Sequence, residues 1–163
     1  MINVLFLCTG NSARSIMAET ILNRLGEGRF QAFSAGSNPT GVVNPYAVAM
    51  LKVLGYDDVA HTRSKSWDEF TTPSAPEVDL VITLCDQAAG ETCPVWPGTP
   101  QQFHWGFPDP AAEADDGAIK VAFMDVYEQI MAFVTALMDV PIDGVSGPDL
   151  RLSIGAKLES SVT

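Results

Sequence analysis

Short apolar runs alternate with amphipathic stretches along the chain, and that alternation predicts its elements. Ile2–Leu7 is a continuous apolar run, as expected of a parallel strand buried on both faces. Over residues 16–25, Met17, Ile21, Leu22 and Leu25 recur at helical spacing, and Gly26 supplies a stop. Residues 29–35 read as a second strand ending at Gly36, which makes a right-handed strand–helix–strand unit. After a loop over 37–43, Asn44 and Pro45 form an N-cap and first-turn pair. The helix they start is expected to bury Val48, Leu51 and Leu54 and to close at Gly55.

The second half is less regular. Residues 61–67 are polar, with a short helical turn near Asp68, Glu69 and Phe70, and 71–76 form a linker. A third strand is expected over 78–84 and a short fourth over 101–105. Between them, 86–100 are rich in Gly, Pro and Ala and read as a mobile loop. Residues 118–138 form the last strong helix, with Ile119, Phe123, Val126, Ile130, Phe133 and Leu137 along one stripe. Beyond Pro141 the pattern leaves two options: a helical extension through Leu150, Leu152, Ile154 and Leu158, or a loose tail. The sum is an α/β fold, a small doubly wound four-stranded parallel sheet with helices on both faces. Residues 1–140 form its one domain and 141–163 a C-terminal extension.

Composition narrows the partners. With 163 residues, 47% hydrophobic, the chain can bury a sizeable core. The net charge is -11, and the nine Lys and Arg are scattered, which argues against nucleic acid or an anionic membrane surface. An anionic substrate must then be drawn by a local site against the overall field. The apolar runs are strand-length, short of the roughly 18 residues a membrane span needs. Met1-Ile2-Asn3 lacks the basic start of a signal peptide. Three cysteines, an odd count, point to reduced thiols in the cytoplasm. A monomer is expected.

The chemistry concentrates in Cys8-Thr9-Gly10-Asn11-Ser12-Ala13-Arg14-Ser15, between the first strand and the first helix. A loop at a helix N-terminus aims several backbone N–H groups at one spot, which suits a tetrahedral oxyanion. Arg14 can grip two of its oxygens. The same positive groups favour the thiolate of Cys8, and Ser15 can hydrogen-bond it. Cys85 and Asp109 follow the third and fourth strands, so all three groups reach one sheet edge. Asp109, between two prolines, can donate a proton to a leaving oxygen; its plainer role is a turn aspartate. Cys85 can be a small buried hydrophobe and Cys93 an incidental loop residue. The sharper reading is a thiol relay, Cys85 attacking Cys8 and Cys93 attacking Cys85. His61 and His104 are lone, His104 beside Trp105 reading as a packed histidine, and no zinc-ligand spacing occurs.

These residues resemble a known superfamily. Residues 8–15 with Asp109-Pro110 resemble the low-molecular-weight protein tyrosine phosphatases. Several segments look more specifically like the thioredoxin-coupled arsenate reductases on that fold. They are Phe33-Ser34-Ala35-Gly36, Asn44-Pro45, Arg63-Ser64-Lys65-Ser66-Trp67, Val81-Ile82-Thr83-Leu84-Cys85-Asp86, Cys93-Pro94 and His104-Trp105-Gly106. The resemblance covers about residues 2–138.

It implies that arsenate, with phosphate or sulfate as analogues, is held by the amides of Thr9, Gly10, Asn11, Ser12 and Ala13 and by Arg14. Cys8 would attack, with Ser15 supporting its thiolate and Asp109 protonating the departing hydroxyl. Cys85 would release arsenite, and Cys93 would end the relay as a Cys85–Cys93 disulfide. No cofactor is bound; the external reductant is thioredoxin, or glutaredoxin or a small thiol. Asn11, Glu19, Ser34 and Thr62 match positions that hold the loop, and no metal is required, although the site near Asn11, Glu19 and Ser34 can take potassium. Two features depart from the pattern. The Cys85-to-Cys93 interval is one residue longer, and the segment after Pro110 is Ala-rich and acidic rather than aromatic. The rival readings are a phosphatase forming a phospho-thiolate on Cys8, and a non-catalytic anion-binding or redox-sensing module.

Overall fold

The computed structural model describes residues 1–162. Four strands form one parallel sheet in the order β2-β1-β3-β4: β1 (Ile2–Leu7), β2 (Phe30–Ala35), β3 (Leu80–Thr83) and β4 (Gln101–His104). The α-helices among the described residues are α1 (Arg14–Leu25), α2 (Pro45–Val53), α3 (Asp86–Gly90), α4 (Asp116–Asp139) and α5 (Gly147–Ser161).

β1 is central because both its faces are apolar. Val4 and Phe6 join the larger core with α1, α2, α4 and α5, while Leu5 and Leu7 join a second cluster with Phe70, Val78, Val81 and Trp96. The long helices therefore share one face, and the 3-10 turn Trp67–Phe70 and the segment around Trp96 cover the other. The register pairs Leu7 with Ala35 and Thr83, and Thr83 with His104. The strand ends that lead to Cys8, Gly36, Cys85 and Trp105 thus lie side by side.

Asn44 caps α2 as expected, its Oδ1 accepting the Tyr46 amide at 2.9 Å. That helix buries Ala47 and Leu51, while Val48 and Leu54 are only half-buried. The α4 stripe is in place: Phe123, Val126, Ile130, Phe133 and Leu137 are all buried. At 24 residues, α4 is long and apolar enough by composition to cross a membrane, and it extends the predicted 118–138 by three residues. It reaches that length because its stripe is core, while Lys120, Asp125 and Glu128 line its exposed side.

One segment differs from the sequence reading, and another settles a choice it left open. The stretch after Cys85 is not wholly loop, because Asp86–Gly90 forms α3 with Cys85 as its cap. The tail resolves to the helical option: α5 is capped by Ser146, opens with Pro148 in its first turn, and buries Leu150 and Ile154 in the main core. It lies along the edge strand β4. There the Gly147 amide donates to Gln101 Oε1 at 3.0 Å, and a side chain at Gly147 would collide with the Gln102 backbone. Covering that edge removes a template for unwanted strand pairing.

Candidate active site

Residues 8–13 connect β1 to α1, which begins two residues before the apolar pattern indicated, because Arg14 and Ser15 carry no hydrophobic signal. Ala13 at the N-cap makes no side-chain capping bond. The orphan N–H groups of the first turn are thereby left for an anion. Hydrogen bonds from outside fix the loop. The carbonyls of Thr9, Gly10 and Ser12 accept the amides of Asn38, Thr40 and Asn44 at 2.9–3.0 Å. Peptide planes whose oxygens are held outward turn their N–H groups inward, forming a nest.

Asn11 is fully buried at φ 44, a left-handed conformation that a non-glycine residue holds only when its surroundings impose it. Its side chain supplies the reason. Nδ2 donates to Ser15 Oγ at 2.8 Å and Oδ1 accepts the Lys65 amide at 2.9 Å. Ser15, accepting from Asn11, keeps its own hydroxyl proton to donate. Arg14 donates to the Phe107 carbonyl at 3.0 Å, which orients the guanidinium and ties the loop carrying Asp109 to α1.

Cys8 and Cys85 are buried, at 6% and 5% exposure, and pack together with Ala88. No disulfide joins the three cysteines. The two sulfurs share a hydrogen bond. Cys85 also accepts the Ala88 amide at 3.4 Å and has Thr9 Oγ1 at 3.6 Å. The bond from Cys8 brings Cys85 down to about 5, helped by the Ala88 and Thr9 groups. The same bond, with burial, pushes Cys8 up, against the pull of Arg14. The two thiols therefore titrate as a coupled pair, with Cys85 shifted toward its thiolate and Cys8 toward its thiol. The sequence reading treated the Cys8 thiolate alone, because a coupled sulfur beside it is invisible in sequence. The pair is expected to gain its thiolate absorbance as pH rises through about 5. A Cys8→Ala variant should titrate at clearly higher pH, toward the ordinary thiol value near about 8.5. Ultraviolet titration of both proteins checks this.

Cys93 is separate. It is half-buried against the cluster that holds Trp67 and Trp96, and burial together with Glu91 pushes its thiol up. Asp109 is exposed; its Oδ1 accepts the Ala111 amide at 3.0 Å, capping the 3-10 turn Pro110–Ala112. It sits at the predicted sheet edge, engaged as a turn cap.

Comparison with known proteins matches this arrangement. Residues 3–143 match the family described as low molecular weight phosphotyrosine protein phosphatase. The chain belongs to that family. Within it, the chain is 40% identical over 128 residues to an arsenate reductase of Halalkalibacterium halodurans, covering 78% of this chain and 88% of that one. A solved arsenate reductase in the intermediate state superposes with a TM-score of 0.65 at 29% identity, over 85% of this chain and 97% of that one. A thioredoxin-dependent arsenate reductase of Corynebacterium glutamicum shares the fold, with a TM-score of 0.62 at 22% identity, over 94% of this chain and 63% of that one.

In this member of the phosphatase family, the residues matched to loop support make separate contacts, and only Asn11 hydrogen-bonds within the anion loop and its helix start. Ser34 Oγ donates to Glu19 Oε2 at 2.5 Å, and the Thr62 hydroxyl turns to the Val59 carbonyl at 2.6 Å. Burial raises Glu19, and the charge of Lys65 opposes that rise. Lys65 is 8% exposed, its ammonium donating to the Arg63 carbonyl at 3.0 Å. Burial pulls Lys65 down, with Glu19 opposing. The sequence reading named the backbone motif around Lys65 but missed the role of its side chain. The residues do not fit a potassium site: Asn11 is used on both side-chain atoms, and the positive charge facing Glu19 is the lysine's own.

Proposed function

We propose that this protein reduces arsenate to arsenite through its three thiols. The observation that carries the reading is the buried packing of Cys8 against Cys85 beside an uncapped helix N-terminus. Phosphate-ester hydrolysis needs the loop and Cys8, and a second thiol beside them would serve it only by protecting Cys8 from over-oxidation. Relatives at 40% identity that are arsenate reductases support the same choice.

The chemistry follows the atoms. Arsenate settles on the loop amides and Arg14. Cys85 takes the proton of Cys8, leaving the Cys8 thiolate under those same positive groups. Cys8 attacks arsenic, and an oxygen leaves as water with a proton delivered by Asp109 swinging from its turn. Cys85 then passes its proton to an arsenic-bound oxygen and attacks Cys8 Sγ. The S–As electron pair goes to arsenic, which leaves as arsenite, and a Cys8–Cys85 disulfide remains. Cys93 as thiolate attacks Cys85 Sγ, and Cys8 departs as thiolate. Arsenate and two thiols have become arsenite, water and one disulfide.

The last exchange requires movement. Cys93 rests against the Trp67–Trp96 cluster and Cys85 caps α3, so the five-residue helix must unwind to bring them together. Two cysteines form a disulfide only when their Cα atoms come within about 7 Å. Gly90 at the end of α3, with open space around it, permits that. The exposed disulfide that results suits reduction by thioredoxin, the dependence that the Corynebacterium glutamicum reductase carries in its name. We assign this chemistry to a domain of residues 1–140, with α5 clasping its edge.

Mass mapping after one turnover with arsenate tests the relay. Wild type should hold Cys85–Cys93, and Cys93→Ser should stop at Cys8–Cys85. Steady turnover by Cys93→Ser with a small thiol would move the reductant from thioredoxin to that thiol. Hydrolysis of phosphotyrosine by Cys85→Ser at wild-type rate, with no arsenite formed by wild type, would return the protein to the phosphatases.

A further inference from the structure

His104, the last residue of β4, bridges the two sides of Cys85. Its Nδ1 lies 2.8 Å from Thr83 Oγ1, and its Nε2 lies 3.0 Å from Asp86 Oδ1. The Asp86 carboxylate can only accept, so Nε2 carries a hydrogen. The neutral ring then accepts the Thr83 hydroxyl proton at Nδ1, and every polar atom of the imidazole is engaged.

The surroundings are shaped to this contact. Gly106 packs over it, and a Cβ there would meet His104 Nε2 at 3.1 Å and Asp86 Oδ1 at 3.3 Å. The His104 carbonyl accepts Arg151 Nε from α5 at 3.0 Å, and the Arg151 guanidinium lies 5.6 Å from the Trp105 ring centre. The ring is thus bonded to Thr83 of β3 and to Asp86, with Gly106 packed over it, while the C-terminal helix holds the His104 main chain. Asp86 is the reverse case, with a side chain 99% exposed, joined to the protein through His104. It is also the first residue of α3, next to Cys85.

We propose that His104 is a positioning residue for the relay. By tying Asp86 to the ends of β3 and β4 it holds the start of α3, and hence Cys85, beside Cys8. Its hold on Asp86 must release before Cys93 can reach Cys85. The inference rests on the reductase reading and adds to it a restraint between the two sulfur exchanges. Stage one, closed by His104, joins Cys8 to Cys85. Stage two, with α3 free, lets the Cys93 thiolate attack Cys85 Sγ as Cys8 leaves, with no further oxidant.

The test uses the full chain as wild type, His104→Ala, Asp86→Ala and the double variant. Amide hydrogen exchange is read first, on reduced protein without arsenate. The amides of Ala88, Ala89 and Glu91, which bond to Cys85 Sγ, the Cys85 carbonyl and the Ala88 carbonyl, report on α3. They should exchange about fivefold faster in each single variant, the scale of an exposed ion pair. Single turnover with arsenate is read second, by quenching and mapping disulfides against time. Conversion of Cys8–Cys85 to Cys85–Cys93 should be about fivefold faster, while arsenite release is no faster than in wild type. A general loosening of the fold would not separate the two steps in that way. The double variant should match the singles, because both act through one contact. Unchanged α3 exchange in both singles, an unchanged second step, or additive effects in the double variant would each overturn the proposal. Failure of wild type to release arsenite rejects the reductase reading instead, and the α3 amides then decide the restraint alone.

Discussion

Replacing Cys8 with serine is expected to abolish arsenite release, by on the order of 10⁴-fold or more, as removal of an attacking nucleophile does elsewhere. The size follows from two losses at once. A serine hydroxyl is a far weaker nucleophile at neutral pH than a thiol with a base beside it. Even were an ester to arsenic to form, Cys85 could make no disulfide with oxygen, so arsenic would keep its oxidation state. The anion loop should survive the change. Its shape rests on Asn11, on the carbonyl bonds to Asn38, Thr40 and Asn44, and on Gly36, none of which uses the sulfur. Cys8→Ser should therefore still bind phosphate as wild type does while releasing no arsenite. Calorimetric titration with phosphate and an arsenite assay on the same preparation check both halves. Measurable arsenite release by the variant would mean that another group attacks arsenic.

The contrast between what could and could not be read from the sequence has a physical basis. The anion loop was legible because eight consecutive residues carry it, and consecutive residues keep their relation in any fold. The α2 cap and the α4 stripe were legible for the same reason, since a cap and a helical period are local signals. Lys65 was not. In a polar stretch it reads as exposed, and it is buried only because the chain around it docks on Gly36. The Gly36 amide donates to the Lys65 carbonyl and its carbonyl accepts the Trp67 amide, both at 2.9 Å. The helix after Cys85 was missed because five residues with Gly and Ala carry no period. Its support comes from the Cys85 sulfur and, through Asp86, from His104, eighteen positions away. The tail stayed ambiguous because Leu150 and Ile154 are only two buried positions, and what buries them is the edge of β4 and the face of α4. The acidity of Cys85 was hidden for a further reason: it depends on a sulfur 77 positions earlier in the chain.

Gly36→Ala should damage the anion loop more than its small size suggests. Gly36 follows β2 and packs against the anion loop from behind. A Cβ there would strike the Thr9 carbonyl oxygen, lie 2.8 Å from that of Cys8 and lie 3.1 Å from Asn11 Cβ. Two of these three are backbone atoms, and none can rotate away. Either the end of β2 must retreat, breaking its bonds to Lys65 and Trp67, or the loop must shift. Overpacking of this kind costs about 2–3 kcal/mol. The loss of function should exceed what that destabilisation explains, because a loop displaced by even about 1 Å misaims its amides, worth roughly 10²-fold in turnover. Gly28→Ala is the control. A Cβ at Gly28 would have nothing within 4 Å, but the residue sits at φ 81, so the change should cost about 1 kcal/mol of stability and leave kcat/KM for arsenate as in wild type. Denaturant midpoints and kcat/KM for both variants separate the two effects. If Gly36→Ala loses stability but keeps its kcat/KM, the amides are not aimed from behind by this contact, and the geometry of the anion loop must be set by Asn11 and by the carbonyl bonds to Asn38, Thr40 and Asn44.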